Sequence, residues 1–130
     1  MRSTKRPSTL TRIVRKVHEV HPDVPVIGFP KGAGTLYGTY RQKTGVTALG
    51  LDWSAPLSQA IELQKQGAVQ GNLDPLRLVA GGKALSDGVA AILDALKAGA
   101  FIFNLGHGIV PETPIAHVEA MVRQVRGETG

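Results

Sequence analysis

Ala100-Phe101-Ile102-Phe103-Asn104-Leu105-Gly106-His107-Gly108 decides how this chain is read. An apolar run, Ala100 to Phe103, stops at the polar Asn104, and a histidine then sits between two glycines. Upstream, Val89, Ile92, Leu93 and Leu96 recur at helical spacing, with Ser86 as N-cap and Gly99 as the stop. Downstream, Thr113-Pro114 reads as N-cap and first residue of a last helix carrying Ile115, Val118, Val122 and Val125 on one face. A strand fed by one helix and followed by another belongs to a βα architecture, which binds ligands where strands give way to loops. His107 is therefore a candidate ligand contact, and Gly106 and Gly108 leave the backbone beside it uncrowded. The plainer reading of the same residues is a loop leading into a helix, with an incidental histidine.

The pattern repeats toward the N-terminus. Short apolar or β-branched runs lie at 24–29, 46–51 and 68–70, besides 100–104. Between them, 36–43 reads as a short helix closed by Gly45. Ser54 is placed as the cap of a helix with Pro56 near its first turn, Leu57, Ala60 and Ile61 inward, and Gly67 at its stop. Asp74, as N-cap before Pro75, opens another short helical piece. A leading amphipathic helix over 8–20 turns Leu10, Ile13, Val14 and Val17 inward. Strands alternating with helices predict an α/β fold of four βα units, with a parallel sheet and the helices on one side. Nothing in 1–130 reads as a linker, so one unit is expected.

Composition narrows the function classes. At 130 residues and 42% hydrophobic, the chain can bury a core and is not of disordered composition. Cysteine is absent, so there is neither a disulfide framework nor a thiolate metal site. No apolar run approaches the ~20 residues that span a bilayer, and no signal-peptide core opens the chain. A cytoplasmic protein without a membrane role is expected. The net charge of +5 is concentrated at the start: Arg2, Lys5, Arg6, Arg12, Arg15 and Lys16 stand against Glu19 alone. From Pro22 onward nine basic residues balance nine acidic ones. That leader has no aromatic residue for base stacking, and no basic stripe continues it, so no nucleic-acid partner is expected.

Four blocks in one order carry a resemblance: Gly28 to Gly34 (GFPKGAG), Gly50 to Trp53 (GLDW), Gly71 to Pro75 (GNLDP), and Asn104 to Gly108 (NLGHG) with the PETP of 111–114. Together they resemble the uroporphyrinogen decarboxylase family from about Arg6 to Arg126, and only the C-terminal half of that enzyme. The resemblance implies the last four units of a TIM-like (β/α)8 barrel, with helix 8–20 preceding its fifth strand. It implies a carboxy-lyase of porphyrin and heme biosynthesis that converts the four acetate arms of uroporphyrinogen III to the methyls of coproporphyrinogen III. No metal or organic cofactor is implied. The family's arginine-rich motif, its aspartate, and its tyrosine and hydroxyl positions follow the first four strands and have no counterpart here. His107 is the one substrate-binding residue that carries over, and no catalytic residue does.

Four parallel strands cannot close a barrel, because both outer strands keep unpaired backbone groups and the inner face lacks its opposing layer. The N-terminal half of the barrel, or a second copy in a homo-oligomer, is the expected partner. The inner face is expected around Ile27, Leu49 and Val69 or their neighbours. The isolated chain should be inactive. The alternative is a non-catalytic half-barrel module whose strand edges drive self-association.

Other polar residues read as structural. Lys31 fits a solvated lysine on a glycine-rich turn better than an anion contact, and Gly32-Ala33-Gly34 lacks the Gly-Lys-Ser/Thr of a phosphate loop. Asp52 is placed as a loop-bonding or capping group, and Asn72 and Asp74 as loop braces. His18, His21 and His117 have no partner at ligand spacing and are placed at the surface. Similar cobalamin-linked and thiol methyltransferases bind zinc through thiolates, which a cysteine-free chain cannot supply.

Overall fold

A computed structural model describes residues 8–128. Arg2, Lys5 and Arg6 of the basic leader lie outside the described residues. The order is α1 (Thr9–Val20), β1 (Ile27–Gly28), α2 (Tyr37–Thr44), β2 (Ala48–Gly50), α3 (Leu57–Gln64), β3 (Val69–Leu73), α4 (Pro75–Ala80), α5 (Gly82–Leu96), β4 (Phe101–Leu105) and α6 (Ile115–Val125). A short 3-10 turn, Gly34–Leu36, leads into α2. The four strands form one sheet in the order β1-β2-β3-β4, and every neighbouring pair is parallel. Helical segments connect each strand to the next, and their apolar residues share one core with one face of the sheet.

Register sorts the strand residues by face. Gly28 pairs with Leu49, Leu49 with Val69, and Val69 with Phe101. Leu49 and Val69 are fully buried and belong to one core cluster with Ala60, Leu78, Val89 and Leu96. Each buried leucine or valine stabilises the fold by about 1.5–3 kcal/mol. Gly28 lies on this side too: a Cβ there would meet the Tyr40 ring of α2 at 2.8 Å.

The other face is bare. Ile27, Phe29 and Ile102 are between two-fifths and one-half exposed. Phe29 folds over the sheet onto Gly50, where an added Cβ would lie 3.0 Å from the ring. The expectation for the inner face therefore holds for Ile27 and, on β2 and β3, for the neighbours Gly50 and Gln70 rather than for Leu49 and Val69 themselves. Residues alternate across a strand, and the helices claim the Leu49–Val69 side.

Several helix starts differ from the sequence reading. The N-cap of α3 is Pro56, whose carbonyl accepts from the amides of Gln59 and Ala60, while Ser54 bonds back to Asp52. Helix α5 begins a turn earlier than Ser86, at Gly82, because Gly81 adopts a left-handed φ of 67° and turns the chain there. Thr113 spends its hydroxyl on the Val110 carbonyl, 2.6 Å away, and α6 starts after Pro114. Asp74 caps α4 as expected, accepting from Leu76 N at 2.9 Å. Ser8 caps α1, but that helix buries only Thr11 and Val14, leaving Leu10 and Ile13 half exposed. The run at 24–29 gives only a two-residue strand between Pro25 and Pro30, consistent with proline's lack of a ladder donor.

Candidate functional site

The carboxyl ends of β2, β3 and β4 are knitted together by backbone bonds. Gly106 N donates to Leu73 O at 2.7 Å, and Trp53 N donates to Gly106 O at 3.2 Å. The loop after β4 is thus held by the end of β3 and by the loop after β2. Gly106 is required here for close approach: a Cβ would collide with the Trp53 backbone. The sequence reading of both glycines as uncrowded holds for Gly108, which has nothing near it, and fails for Gly106.

A second layer of bonds fixes the loop after β2. Asp52 N donates to the Tyr37 hydroxyl at 2.9 Å. The buried Asn72 side chain donates through Nδ2 to the carbonyls of Asp52 and Ala55, each at 2.9 Å. Asp52 Oδ1 accepts from Ser54 N and Ser54 Oγ at 3.1 and 3.2 Å. Asp52 and Asn72 are therefore loop braces, as their residue types suggested. Burial in the core pushes the Tyr37 hydroxyl above the usual phenol value, against the bond from Asp52 N, which lowers it.

Upon this frame stands a cavity of about 560 Å3 on the bare side of the sheet, lined by Phe29, Gln70, Asn104, His107 and Ile109 among others. His107 is exposed and reaches it from the loop after β4. Its polar side chains are two amides and one imidazole. Amides and an imidazole beside an aromatic ring and aliphatic groups suit a ligand with both apolar and polar parts. The lining contains no Asp or Glu to act as a general acid or base.

The other candidates fall elsewhere. Lys31 is exposed and is not part of the lining. His18 sits at the opposite end of the sheet, with Pro25 and Thr47, and His21 is exposed. His117 is not the plain surface residue expected: Nδ1 is 2.8 Å from the Leu78 carbonyl, and the ring covers Gly81, where a Cβ would strike it. Among the described residues no three of His, Asp and Glu come together as a metal site would require. No helix among them is long and apolar enough to cross a membrane.

Three features escaped the sequence reading. Gln70 and Asn104 join His107 in the cavity, and a polar residue alternating with Ile102 on an otherwise apolar strand was the available signal. Arg41 lies under the far end of the sheet, donating through Nη1 to Leu63 O (2.8 Å) and Nη2 to Ala68 O (2.9 Å), with Nε buried and unpartnered. Burial lowers its pKa from the ordinary guanidinium value. Nothing local in the sequence marks those distant carbonyls.

Comparison with known proteins gives the family of the chain. The profile described as uroporphyrinogen decarboxylase (URO-D) matches residues 7–127. A Mesorhizobium japonicum protein named uroporphyrinogen decarboxylase is 76% identical over 117 residues, 90% of this chain and 34% of that protein. A Chelativorans protein of the same name is 71% identical over 117 residues, with the same shares. One from Brucella anthropi is 61% identical over 118 residues, 91% of this chain and 35% of its own length. The chain therefore spans about a third of the length of the curated relatives it matches, less than the half expected from its four units. It belongs to the uroporphyrinogen decarboxylase family, whose fold is the (β/α)8 barrel.

Proposed function

We propose that this chain is the C-terminal four βα units of a cytoplasmic uroporphyrinogen decarboxylase, and that its cavity holds one side of uroporphyrinogen with His107 as a substrate contact. The observation that carries this reading is the position of His107. It stands at the carboxyl end of a parallel sheet, beside a cavity on the face that a closed barrel would enclose. Barrel enzymes build their sites at that end. The relatives' common name supplies the substrate class.

The reading divides the labour of the reaction. Decarboxylation of an acetate arm on a pyrrole needs a group that stabilises charge on the protonated ring, and cations for the remaining carboxylates. The cavity described here has donors but neither of those groups. They belong to the missing part of the barrel, so the chain alone binds and does not turn over. The test is conversion of uroporphyrinogen to coproporphyrinogen by the chain alone and with the N-terminal part supplied. Activity is expected only in the second case, with His107→Ala raising KM more than it lowers kcat. Turnover by the chain alone, or an unaffected His107→Ala complex, overturns the assignment.

A second reading has its own observation. Ile27, Phe29 and Ile102 leave an apolar face uncovered, and β1 and β4 are open edges. On that reading two copies associate as a homo-oligomer without catalysis. Light scattering distinguishes them: a monomer at tens of micromolar removes the self-associating module.

A further inference from the structure

We infer that Asn104 is a specificity-determining residue that donates from Nδ2 to a carboxylate of the ligand held beside His107. The inference rests on the proposed function for the identity of that ligand. Three observations carry it. Asn104 alternates with Phe103 and Leu105 on β4, so it shares the bare face with Ile102 and is exposed there. It lines the cavity together with His107 and Gln70. Its Oδ1 accepts from Leu105 N at 2.8 Å.

The last contact decides the chemistry. An amide has one accepting and one donating end, and a backbone N–H can bond only to the accepting one. The Leu105 amide therefore fixes which way round the side chain sits. What Asn104 has left to offer the cavity is an NH2 group. A ligand that meets it must present an acceptor, and a carboxylate is the strongest organic acceptor. Because the donor is neutral and prepositioned, it orients a carboxylate at small entropic cost, while giving no help to an amine or a cationic group.

Aspartate is the discriminating replacement. Asn104→Asp keeps an oxygen for the Leu105 amide, so the local backbone bond survives. The outward group becomes a carboxylate, which repels an anionic ligand. Were Asn104 only a brace for its own strand, Asp would serve equally well. Asn104→Leu removes both contacts without adding charge.

The experiment is equilibrium dialysis of the 130-residue chain against uroporphyrin, the stable oxidised octacarboxylate, with chemical unfolding of each variant as the fold control. Asn104→Asp is expected to weaken binding at least tenfold, more than Asn104→Leu, with an unchanged unfolding midpoint. Tetracarboxylate coproporphyrin should bind more weakly to the unsubstituted chain and lose less on Asn104→Asp. Equal binding by Asn104→Asp while His107→Ala weakens binding overturns the role of Asn104 and leaves the cavity assignment standing. Absence of binding by the unsubstituted chain, or binding indifferent to both residues, overturns the two together. A lowered unfolding midpoint for Asn104→Asp also counts against it, because the preserved backbone bond is then not what the side chain supplies.

Discussion

Gly106 and Trp53 occupy one another's space: the Trp53 amide donates to the Gly106 carbonyl at 3.2 Å, and the Trp53 backbone lies where a Gly106 side chain would begin. The loop bearing His107 is thereby referenced to β2, two strands away in the sheet. Gly106→Ala is expected to push the loops apart and cost about 1–3 kcal/mol, as overpacking does. Gly108→Ala, with open space around it, is expected to change stability by less than about 0.5 kcal/mol. Urea unfolding of the two variants measures the contrast, and equal midpoints would remove the role given to the close approach.

Asn72→Ala leaves the Ala55 carbonyl without its donor, while the Asp52 carbonyl keeps only the bond from Ala55 N at 3.0 Å. The expected loss is about 1–3 kcal/mol in the denaturant midpoint with an unchanged slope. Asn72→Asp is expected to do worse at neutral pH, since a carboxylate then faces two carbonyl oxygens. It should recover in part at low pH, where the protonated acid can donate again.

Tyr37 sets an alkaline limit on stability. Its folded-state pKa is raised by burial above the ordinary phenol value of about 10. The phenol is neutral in both states below the unfolded value, so its contribution is fully present there. As pH rises from about 10 toward the higher folded value, the unfolded chain ionises first and stability falls. Tyr37→Phe is expected to flatten that alkaline decline. At neutral pH it should cost about 1–3 kcal/mol by stranding the Asp52 amide. Thermal melts at neutral pH and across the alkaline range check both signs.

How much of this was legible in the sequence depended on whether a signal was local. Helix α5 announced itself through Val89, Ile92 and Leu96, all of which it buries. The parallel sheet followed from apolar runs alternating with such helices. Cap positions were less secure, because Ser54, Ser86 and Thr113 are chemically suited to caps wherever they stand. What starts α5 instead is the left-handed Gly81, and only the fold shows that. Asp74 was legible because its cap and Pro75 are neighbours. His107 stood out between two glycines, whereas Asn104 and Gln70 needed the register of β3 against β4 to be placed in the same cavity.

Arg41 shows the same limit from the other end of the sheet. Its guanidinium bridges Leu63 O at the end of α3 and Ala68 O ahead of β3. Carbonyls carry no residue identity, so no sequence pattern flagged them. Arg41→Lys puts a single ammonium where a fork spanned two acceptors and is expected to lose about 1–2 kcal/mol, with Arg41→Ala losing more. Binding to the cavity should be unchanged in Arg41→Lys, because Arg41 sits away from it. A loss of ligand affinity without a loss of stability would contradict the purely structural part assigned to this residue.

Trp53 is the chain's single tryptophan, half exposed, and its backbone is bonded to the residue before His107. Indole emission shifts in wavelength with its hydration, so that one chromophore reads the environment at the foot of the His107 loop without any added label. The two tyrosines, Tyr37 and Tyr40, belong to α2 beneath the sheet. Red-edge excitation therefore isolates one end of the molecule, and a ligand or partner chain arriving at that end would be recorded there as a blue shift or as quenching.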